Sequence, residues 1–493
     1  MADTADEPEK ARRPRRKGRG DETASRDYDG AALAGRRVGT RALVLIPQPP
    51  RGRRFQSTSE QNKGTPEPPP LHAPEDRRTE AVGLAVAIDL DVRDSLIIPL
   101  NEPKPATLFG SGKVSEIGAL VDAHAITVAV VDYTLSPIQQ RNLERAWNCK
   151  VLDRTGLILE IFGRRAQTRE GRLQVELAHL SYQKSRLVRA WTHLERQRGG
   201  AGFLGGPGEA QKELDRRIIQ DKIDAIKKDL TQVVRTRELH RAGRRKVPYP
   251  VVAIVGYTNA GKSTLFNRIT GAGVLAQDQV FATLDPTMRE VRLATGRRII
   301  LSDTVGFISD LPTALVAAFR ATLEEVIEAD LVLHVRDISH AESNAQRADV
   351  EAVLRDLGID VRLAGAQVLE VWNKIDRVDG DARAALQLET DRDERHPISV
   401  SAITGEGIEA LLAGIDARLG VGDALVDVDV GHASGKLTHW LHENTDIVEK
   451  TVRDDGATSY RVRITAEKKP RLEQQVKATG DPGSALVSHP VRR

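Results

Sequence analysis

The chain has 493 residues, a hydrophobic fraction of 40% and a formal net charge of +3, so it can form several packed cores, and its bulk charge indicates no particular partner. Its one cysteine, Cys149, excludes an internal disulfide and a cysteine-based zinc site. No apolar run reaches the roughly 18 residues of a membrane span and the N-terminus has no signal-peptide core, so we expect a cytoplasmic protein without a membrane span.

Two polar stretches flank the first predicted strand, at residues 41–46. Residues 1–38 carry six Arg and Lys residues from Arg12 to Arg19 and predict a disordered basic tail. We interpret this tail as a solubilising extension, with a contact to RNA phosphates as the alternative. Residues 47–78 are rich in Pro and Arg and predict a flexible insertion.

An N-terminal α/β domain is predicted over residues 39–172, because short apolar runs alternate with helical patterns. This alternation is typical of a parallel sheet. Further strands are predicted at residues 95–98, 126–131 and 150–152, and helices at 80–90, 112–123 and 137–147.

A heptad pattern then predicts an antiparallel helical hairpin and its linker over residues 173–246. Apolar residues recur in alternating steps of four and three, and only Lys184 interrupts them in the first helix. A glycine-rich loop at residues 199–208 separates the two helices. The basic second helix fits either an RNA-binding surface or the solvated face of a coiled coil. Its basic residues are Arg216, Arg217, Lys222, Lys227, Lys228, Arg235, Arg237 and Arg241.

A phosphate-binding loop follows a predicted buried strand at residues 250–255, in a domain predicted over residues 247–420. The pattern G-x-x-x-x-G-K-S lies between a strand and a helix, and its glycines let backbone N–H groups approach phosphates. Lys262 is expected to reach the β- and γ-phosphates, and the Ser263 hydroxyl to bind Mg²⁺. The predicted nucleotide ligands here are Gly256, Tyr257, Thr258, Asn259, Ala260, Gly261, Lys262, Ser263 and Thr264.

A second element, D-x-x-G, ends the apolar strand at residues 299–301. Asp303 would hold Mg²⁺ through a water, and the Gly306 N–H would sense the γ-phosphate. A mobile threonine completes the magnesium shell in GTPases, and Thr283 and Thr287 are both candidates. The predicted ligands in these segments are Phe281, Ala282, Thr283, Leu284, Asp285, Asp303, Thr304, Val305 and Gly306.

The third and fourth elements predict a guanine site. The Asp376 carboxylate can accept hydrogen bonds from N1–H and the amine of guanine, and adenine lacks that pair of donors. Asn373 is expected at the N7/O6 edge of the base, with Lys374 over the ring. The backbone at Ser401 and Ala402 is expected at O6. The predicted ligands are Asn373, Lys374, Ile375, Asp376, Ser401 and Ala402.

The usual catalytic residue is missing. After the glycine of D-x-x-G many GTPases have a Gln that orients water, whereas this chain has Phe307, so we assign no catalytic residue and expect slow intrinsic turnover. Asn259 resembles the Asn of potassium-activated GTPases, whose side-chain oxygen helps to hold K⁺. A hydrogen bond within the loop is the alternative role of Asn259.

Together these motifs resemble the HflX-type GTPases, a ribosome-associated branch of the translation-factor-related GTPases, over roughly residues 39–420. Within F-A-T-L-D the resemblance favours Thr283 over Thr287 as the magnesium ligand. Ala210 departs from the family pattern G-P-G-E-T-Q, which has Thr at that position. The matching segments are residues 110–113, 135–142, 153–155, 168–171, 196–200, 206–209, 256–263, 281–285 and 303–312.

We expect a monomer. The resemblance implies binding to the large (50S) ribosomal subunit and its 23S rRNA, with the hairpin tip near the peptidyl transferase region. It implies a role in rescue, splitting or biogenesis of ribosomes, under stress. The alternatives are a GTP-regulated protein-binding switch without an RNA partner, and a dual ATP and GTP enzyme if residues 110–113 form a second nucleotide loop. The implied ribosome contacts are Arg198, Gly199, Gly200, Gly206, Pro207, Gly208 and Glu209.

A small α+β domain is predicted over residues 421–478, with strands at 425–430 and 459–464 and helices at 435–444 and 466–476. Residues 479–493 predict a disordered tail. The expected fold is therefore α/β: an N-terminal α/β domain with a helical hairpin, a phosphate-loop GTPase domain with a mostly parallel sheet, and a small α+β C-terminal domain.

Overall fold

The structure is a computed structural model of the chain. It describes residues 39–48, 72–197, 207–244, 249–272, 280–281, 283–284, 286–310, 320–359, 367–392, 396–420, 423–431, 434–453, 457–465, 468–479 and 484–487. The predicted tail at residues 1–38 lies outside these ranges. Among the described helices, none has the length and apolar character needed to cross a bilayer.

The N-terminal domain is a four-stranded parallel sheet in the order β2–β1–β3–β4, as the alternating pattern predicts. Its core packs apolar strand residues such as Leu43 and Val131 against Ile117 and Trp147 of the covering helices. The strands are β1 Thr40–Gln48, β2 Leu90–Pro99, β3 Val128–Val131 and β4 Lys150–Asp153. The helices are α1 Pro74–Val86, α2 Ser111–Ala123, α3 Pro137–Trp147 and α4 Arg154–Arg165.

Side-chain caps explain where α3 and α4 begin. Ser136 caps α3 in a capping box, in which its hydroxyl accepts from the Gln139 N–H and the Gln139 side chain accepts from the Ser136 N–H. Gly110 is the residue before α2, so residues 111–113 lie in the first turn of this helix and do not form a turn before it.

Two sequence-based boundaries in this domain are wrong. The insertion predicted at residues 47–78 is too wide, because β1 continues to Gln48 and α1 begins at Pro74. The helix predicted at 80–90 is displaced, since α1 ends at Val86 and Leu90 already belongs to β2. Proline at the first turn is favourable for a helix start, and the Pro-rich composition of the insertion hid that signal.

The helical hairpin consists of α5 Arg169–Gln197 and α6 Pro207–Arg244. Leu180 packs against Ile223 and Ile226, which fixes the antiparallel arrangement. Lys184, the polar residue in the apolar seam, donates to the Gln220 side chain on the opposite helix. The loop predicted at 199–208 ends earlier than expected, because Pro207, Gly208 and Glu209 lie in the first turn of α6. Arg198, Gly199, Gly200 and Gly206 lie outside the described residues.

The GTPase domain is a six-stranded sheet in the order β10–β9–β8–β5–β7–β6, parallel except for β6. Its central strands are nearly continuous apolar runs, which burial on both faces requires. The strands are β5 Val251–Gly256, β6 Thr287–Arg292, β7 Arg298–Asp303, β8 Leu331–Asp337, β9 Val368–Asn373 and β10 Ile398–Ser399. The helices are α7 Lys262–Thr270, α8 Arg320–Ile327, α9 Ser343–Asp356, α10 Gly380–Arg392 and α11 Ile408–Leu419.

The C-terminal domain is a four-stranded antiparallel sheet in the order β12–β13–β11–β14, with two helices. The predicted disordered tail at 479–493 is wrong for Ala485–Val487, which form β14 and pair with β11. The sequence analysis also missed β12. The elements are β11 Asp423–Val430, α12 Gly435–Asn444, β12 Asp446–Val452, β13 Thr458–Thr465, α13 Lys469–Ala478 and β14 Ala485–Val487.

Candidate nucleotide site

The phosphate loop connects β5 to α7, and two of its glycines are sterically required. A Cβ atom at Gly256 would collide with the carbonyl oxygen of Val335 on the neighbouring strand. Gly261 has φ +90°, and a Cβ atom there would collide with the side chain of Asn373. The loop therefore packs closely against Val335 and Asn373. It leads directly into the N-terminus of α7.

Lys262, the first residue of α7, is buried at the centre of this loop. Its ammonium group donates to the carbonyl oxygen of Tyr257 at 2.7 Å. The pKa of Lys262 is lowered to about 8, mainly by burial and in smaller part by the positive charge of Lys374, while the negative charge of Asp303 opposes the shift. A buried ammonium group is stabilised when a further negatively charged group, in addition to Asp303, lies beside it.

Three side-chain oxygens converge at the end of β7. The Ser263 hydroxyl donates to Asp303 Oδ2 at 2.7 Å, the Thr283 hydroxyl donates to the same oxygen at 2.9 Å, and the two hydroxyls lie 3.0 Å apart. The other carboxylate oxygen, Oδ1, is buried and has no hydrogen-bond partner among the described residues. Burial also raises the pKa of Asp303. Hard oxygen ligands with a partnerless carboxylate oxygen fit Mg²⁺.

The structure distinguishes the two candidate threonines. Thr283 is the one whose hydroxyl reaches Asp303. Thr287 begins β6 and pairs with Asp303 through the backbone register of the sheet. Among the other predicted ligands in the F-A-T-L-D segment (residues 281–285), Phe281 and Leu284 are buried, and Ala282 and Asp285 lie outside the described residues.

The D-x-x-G segment (residues 303–310) packs against the phosphate loop. The Phe307 N–H donates to the Gly256 carbonyl oxygen at 3.1 Å, and the Phe307 carbonyl oxygen accepts from the Thr258 N–H at 2.7 Å. A Cβ atom at Gly306 would lie 2.9 Å from Thr258 Cγ2 and 3.0 Å from Lys262 Nζ, so only glycine fits there. Thr304 and Val305 are buried beneath this contact.

The predicted base-recognition residues meet around the loop after β9. Asn373 is buried and joins two loops, because its amide donates to the Ala260 carbonyl oxygen at 2.8 Å and its oxygen accepts from the Ala402 N–H at 3.0 Å. Asp376 is exposed, and its Oδ1 accepts from the Ser401 hydroxyl at 2.6 Å. The structure thus gives Asn373 a bracing role that the sequence analysis did not foresee. Asp376 is the group left to face a base.

Two of the remaining predicted residues shape this loop. Lys374 has φ +67° and its ammonium pairs with Asp337 Oδ2 at 2.7 Å, while Ile375 is buried. In the phosphate loop, Asn259 has φ +60° and an exposed side chain that forms no hydrogen bond to any described residue. Thr264 lies in the first turn of α7.

The N-terminal domain contacts the D-x-x-G segment through residues that the sequence analysis missed. Arg154 donates to the Ser309 carbonyl oxygen at 2.7 Å and to its hydroxyl at 3.1 Å, and the guanidinium also pairs with Glu80. The Ser309 hydroxyl donates to Glu80 at 2.9 Å. The Tyr257 hydroxyl accepts from the Ser309 N–H at 2.9 Å and donates to Glu80. The one sequence signal for this contact was the D-R-T motif at residues 153–155, which by itself indicates only the family resemblance.

The same domain contacts the F-A-T-L-D segment. The ring of Phe281 packs edge-on against Phe162 of α4, with centroids 4.9 Å apart. A Cβ atom at Gly83 of α1 would lie 3.2 Å from the neighbouring Val280. The D-x-x-G segment and residues 280–281 therefore both contact α1 and α4.

A second contact joins the N-terminal domain to α9. His72 hydrogen-bonds to Glu342 and to Asp349, each at 2.7 Å. Burial would lower the pKa of His72, but the two carboxylates outweigh it and raise the pKa to about 9. The imidazolium is therefore the form of His72 that holds this contact at neutral pH.

The sheet order, the phosphate loop on β5 and the N-K-x-D loop on β9 define the class of protein: it is a phosphate-loop GTPase. The four segments that match known families are consistent with this class. Residues 75–163 match "GTP-binding GTPase N-terminal", 165–244 match "GTP-binding GTPase Middle Region", 251–374 match "50S ribosome-binding GTPase", and 386–483 match "HflX C-terminal domain".

Relatives narrow the class to one family. The chain is 50% identical over 403 residues to GTPase HflX of Magnetococcus marinus, which covers 81% of this chain and 91% of that protein. It is 45% identical over 365 residues to GTPase HflX of Escherichia coli, with 73% and 83% covered. The chain therefore belongs to the HflX family of GTPases, as its motifs predicted. A solved structure of a GTP-binding protein from Sulfolobus solfataricus with GDP is 22% identical, with a TM-score of 0.40 and coverage of 77% and 98%.

Proposed function

We propose that this GTPase binds the large ribosomal subunit through its helical hairpin and uses GTP binding and hydrolysis to split stalled ribosomes during stress. The observation that carries this proposal is the charge on α6. Between residues 216 and 235 its exposed side chains include six basic residues and three acidic ones. The basic residues are Arg216, Arg217, Lys222, Lys227, Lys228 and Arg235. Excess positive charge on an exposed helix favours contacts with RNA phosphates.

The hairpin is also attached to the domain that contacts the predicted nucleotide site. Helix α5 packs on the same N-terminal domain that contacts the D-x-x-G segment. Residues at the far end of the hairpin, 198–209, would then contact 23S rRNA. The protein would work as a monomer in the cytoplasm, where rescue and biogenesis of ribosomes are the related roles of the same interaction.

The nucleotide residues would act as follows. Lys262 contacts the β- and γ-phosphates, whose negative charge suits its buried ammonium group. Ser263 and Thr283 would hold Mg²⁺ directly and Asp303 through water, and the ion, when bound, offsets phosphate charge. Asp376 selects guanine. The Gly306 N–H senses the γ-phosphate, because only glycine allows its close approach to Thr258 and Lys262.

Hydrolysis would need help from outside the usual catalytic position. Phe307 is buried and has no group that orients water. Asn259, whose exposed side chain is available, would help to hold K⁺ beside the phosphates, where a cation can offset charge in the transition state. The large subunit would complete the site by ordering the F-A-T-L-D and D-x-x-G segments.

Co-sedimentation with ribosomal subunits tests the proposal. We expect the protein to sediment with large subunits in a non-hydrolysable GTP analogue and to do so more weakly in GDP. Small subunits serve as the control. If the protein sedimented with neither subunit in the presence of either nucleotide, that result would contradict a ribosomal role and favour a protein-binding switch.

A further inference from the structure

Arg154, the first residue of α4, holds the D-x-x-G segment. Its side chain is buried, and it binds Ser309 through two hydrogen bonds, at 2.7 Å and 3.1 Å. Glu80 and Asp132 pair with the same guanidinium and fix its position. All three polar groups of Ser309 are engaged, because its N–H donates to Tyr257. The position of this segment therefore depends on where Arg154 lies.

Asp153, the last residue of β4, holds the helical hairpin. Its Oδ1 accepts from the Tyr182 hydroxyl, and its Oδ2 accepts from Arg186 at 2.5 Å. Tyr182 and Arg186 are one turn apart on α5, and the guanidinium stacks over the tyrosine ring at 4.4 Å. Asp153 also caps α4 by accepting from the Gly156 N–H at 2.8 Å. A tilt of α5 would therefore shift both the end of β4 and the start of α4.

Asp153 and Arg154 are consecutive in the chain. The peptide between Asp153 and Arg154 is the junction of β4 and α4, so a displacement of one residue moves the other. Tyr257 extends the connection to the phosphate loop, because its hydroxyl contacts both Glu80 and Ser309. A continuous series of buried and partly buried polar contacts, joined by the Asp153–Arg154 peptide, therefore runs from α5 to the nucleotide site.

We propose that the Asp153–Arg154 junction links the hairpin to the D-x-x-G segment, so that ribosome binding and GTP binding strengthen each other through it. This inference rests on the proposed ribosomal function. Asp153, Arg154 and Glu80 are positioning residues: they set the place of the Gly306 N–H and the phosphate loop without touching the nucleotide, whereas Tyr182 only connects α5 to Asp153. Linkage requires that the subunit raise GTP affinity by the same factor by which GTP raises subunit affinity.

The test measures that factor. Tyr182→Phe removes only the hydroxyl that reaches Asp153, and Ser181→Ala is the matched control, because its hydroxyl on the same helix bonds to the Leu177 carbonyl oxygen. For each protein we would measure the Kd for large subunits with a GTP analogue and with GDP. The ratio of the two values is the coupling factor. Single-turnover GTP hydrolysis with and without subunits gives an independent stimulation factor.

We expect Tyr182→Phe to reduce the coupling factor at least about fivefold, the lower end of typical allosteric coupling. Its intrinsic hydrolysis should stay within about twofold of wild type, since the hairpin does not touch the nucleotide. Glu80→Gln, a variant from the other end of the connection, should reduce the factor as well. The double variant should lose little more than either single variant, because both interrupt one connection.

Failure of the inference differs from failure of the proposed function. If wild type binds subunits more tightly with GTP and neither Tyr182→Phe nor Glu80→Gln reduces the factor, the junction is not the link, and the ribosomal function stands. Additive losses in the double variant would also overturn the inference, since they indicate separate local effects. If wild type binds no subunit, both fall together.

Discussion

Replacing Asp376 with Asn should change the nucleotide preference of this protein. The Ser401 hydroxyl bonds to Asp376 Oδ1 at 2.6 Å, so the structure indicates which end of an Asn side chain stays with the protein. The amide oxygen would keep that bond and the NH₂ group would face the base. There the donating NH₂ group would face two further donors, the N1–H and the amine of guanine. Xanthine has a carbonyl oxygen in place of the amine, and that oxygen can accept a hydrogen bond from the NH₂ group.

The size of the effect follows from the bonds lost. A hydrogen bond to a charged group contributes about 1.5–3 kcal/mol, so losing two would cost about 3–6 kcal/mol. Asp376 is exposed, and water replaces part of that loss, so we expect the lower end, roughly a 100-fold increase in the Kd for GTP. Affinity for xanthosine triphosphate should rise over the same range.

Titration with fluorescent guanosine and xanthosine nucleotides would measure both affinities. Asp379→Asn is the matched control, because Asp379 is an exposed carboxylate three residues further along the same loop. Thermal melting of each variant excludes a folding defect. If Asp376→Asn bound GTP as tightly as wild type, the carboxylate would not face the base, and the assignment of the guanine site would be wrong.

Three other predictions concern the cation, the hairpin and a contact between domains. GTP turnover should be faster in K⁺ than in Na⁺, and Asn259→Ala should reduce this advantage at least about threefold; equal wild-type rates in both salts would eliminate the cation role. Replacing residues 199–209 with a Gly/Ser linker should leave nucleotide affinity within about twofold and abolish large-subunit binding; normal binding would refute the tip's role. Because its folded pKa of about 9 exceeds the ordinary 6.5, His72 should stabilise the fold fully below pH 6.5 and lose this effect as pH rises through 9. Melting temperatures of wild type and His72→Gln should therefore differ most at pH 6 and converge near pH 10; a constant difference would show that charge is not involved.

Local signals explain what the sequence could predict. The phosphate loop lies between a buried strand and a helix in adjacent residues, so its motif and its structure coincide. Helix α3 was located by its capping Ser136 and the proline after it. Helix α4 was missed even though its apolar residues recur at helical spacing: Leu157, Ile158, Ile161 and Phe162 are all buried.

Contacts between domains could not be predicted from the sequence. Glu80 and Ser309 are 229 positions apart, and nothing in their local sequence indicates that they meet. The bracing role of Asn373 was missed for a similar reason, since its partner Ala260 lies 113 positions away. Sequence motifs identified the residues that touch the nucleotide, and the residues that position them depend on how whole domains pack.

The short strand β14 covers one edge of the C-terminal sheet. Without it, the backbone of β11 beside residues 427–429 would present unpaired N–H and C=O groups to other chains. Leu486, which faces Val428 in the register, also packs on the apolar core of this domain. A chain shortened to residue 478 would therefore keep its nucleotide site and expose a sticky sheet edge. Such a chain should associate through that edge, and β14 is therefore expected to protect the sheet against aggregation.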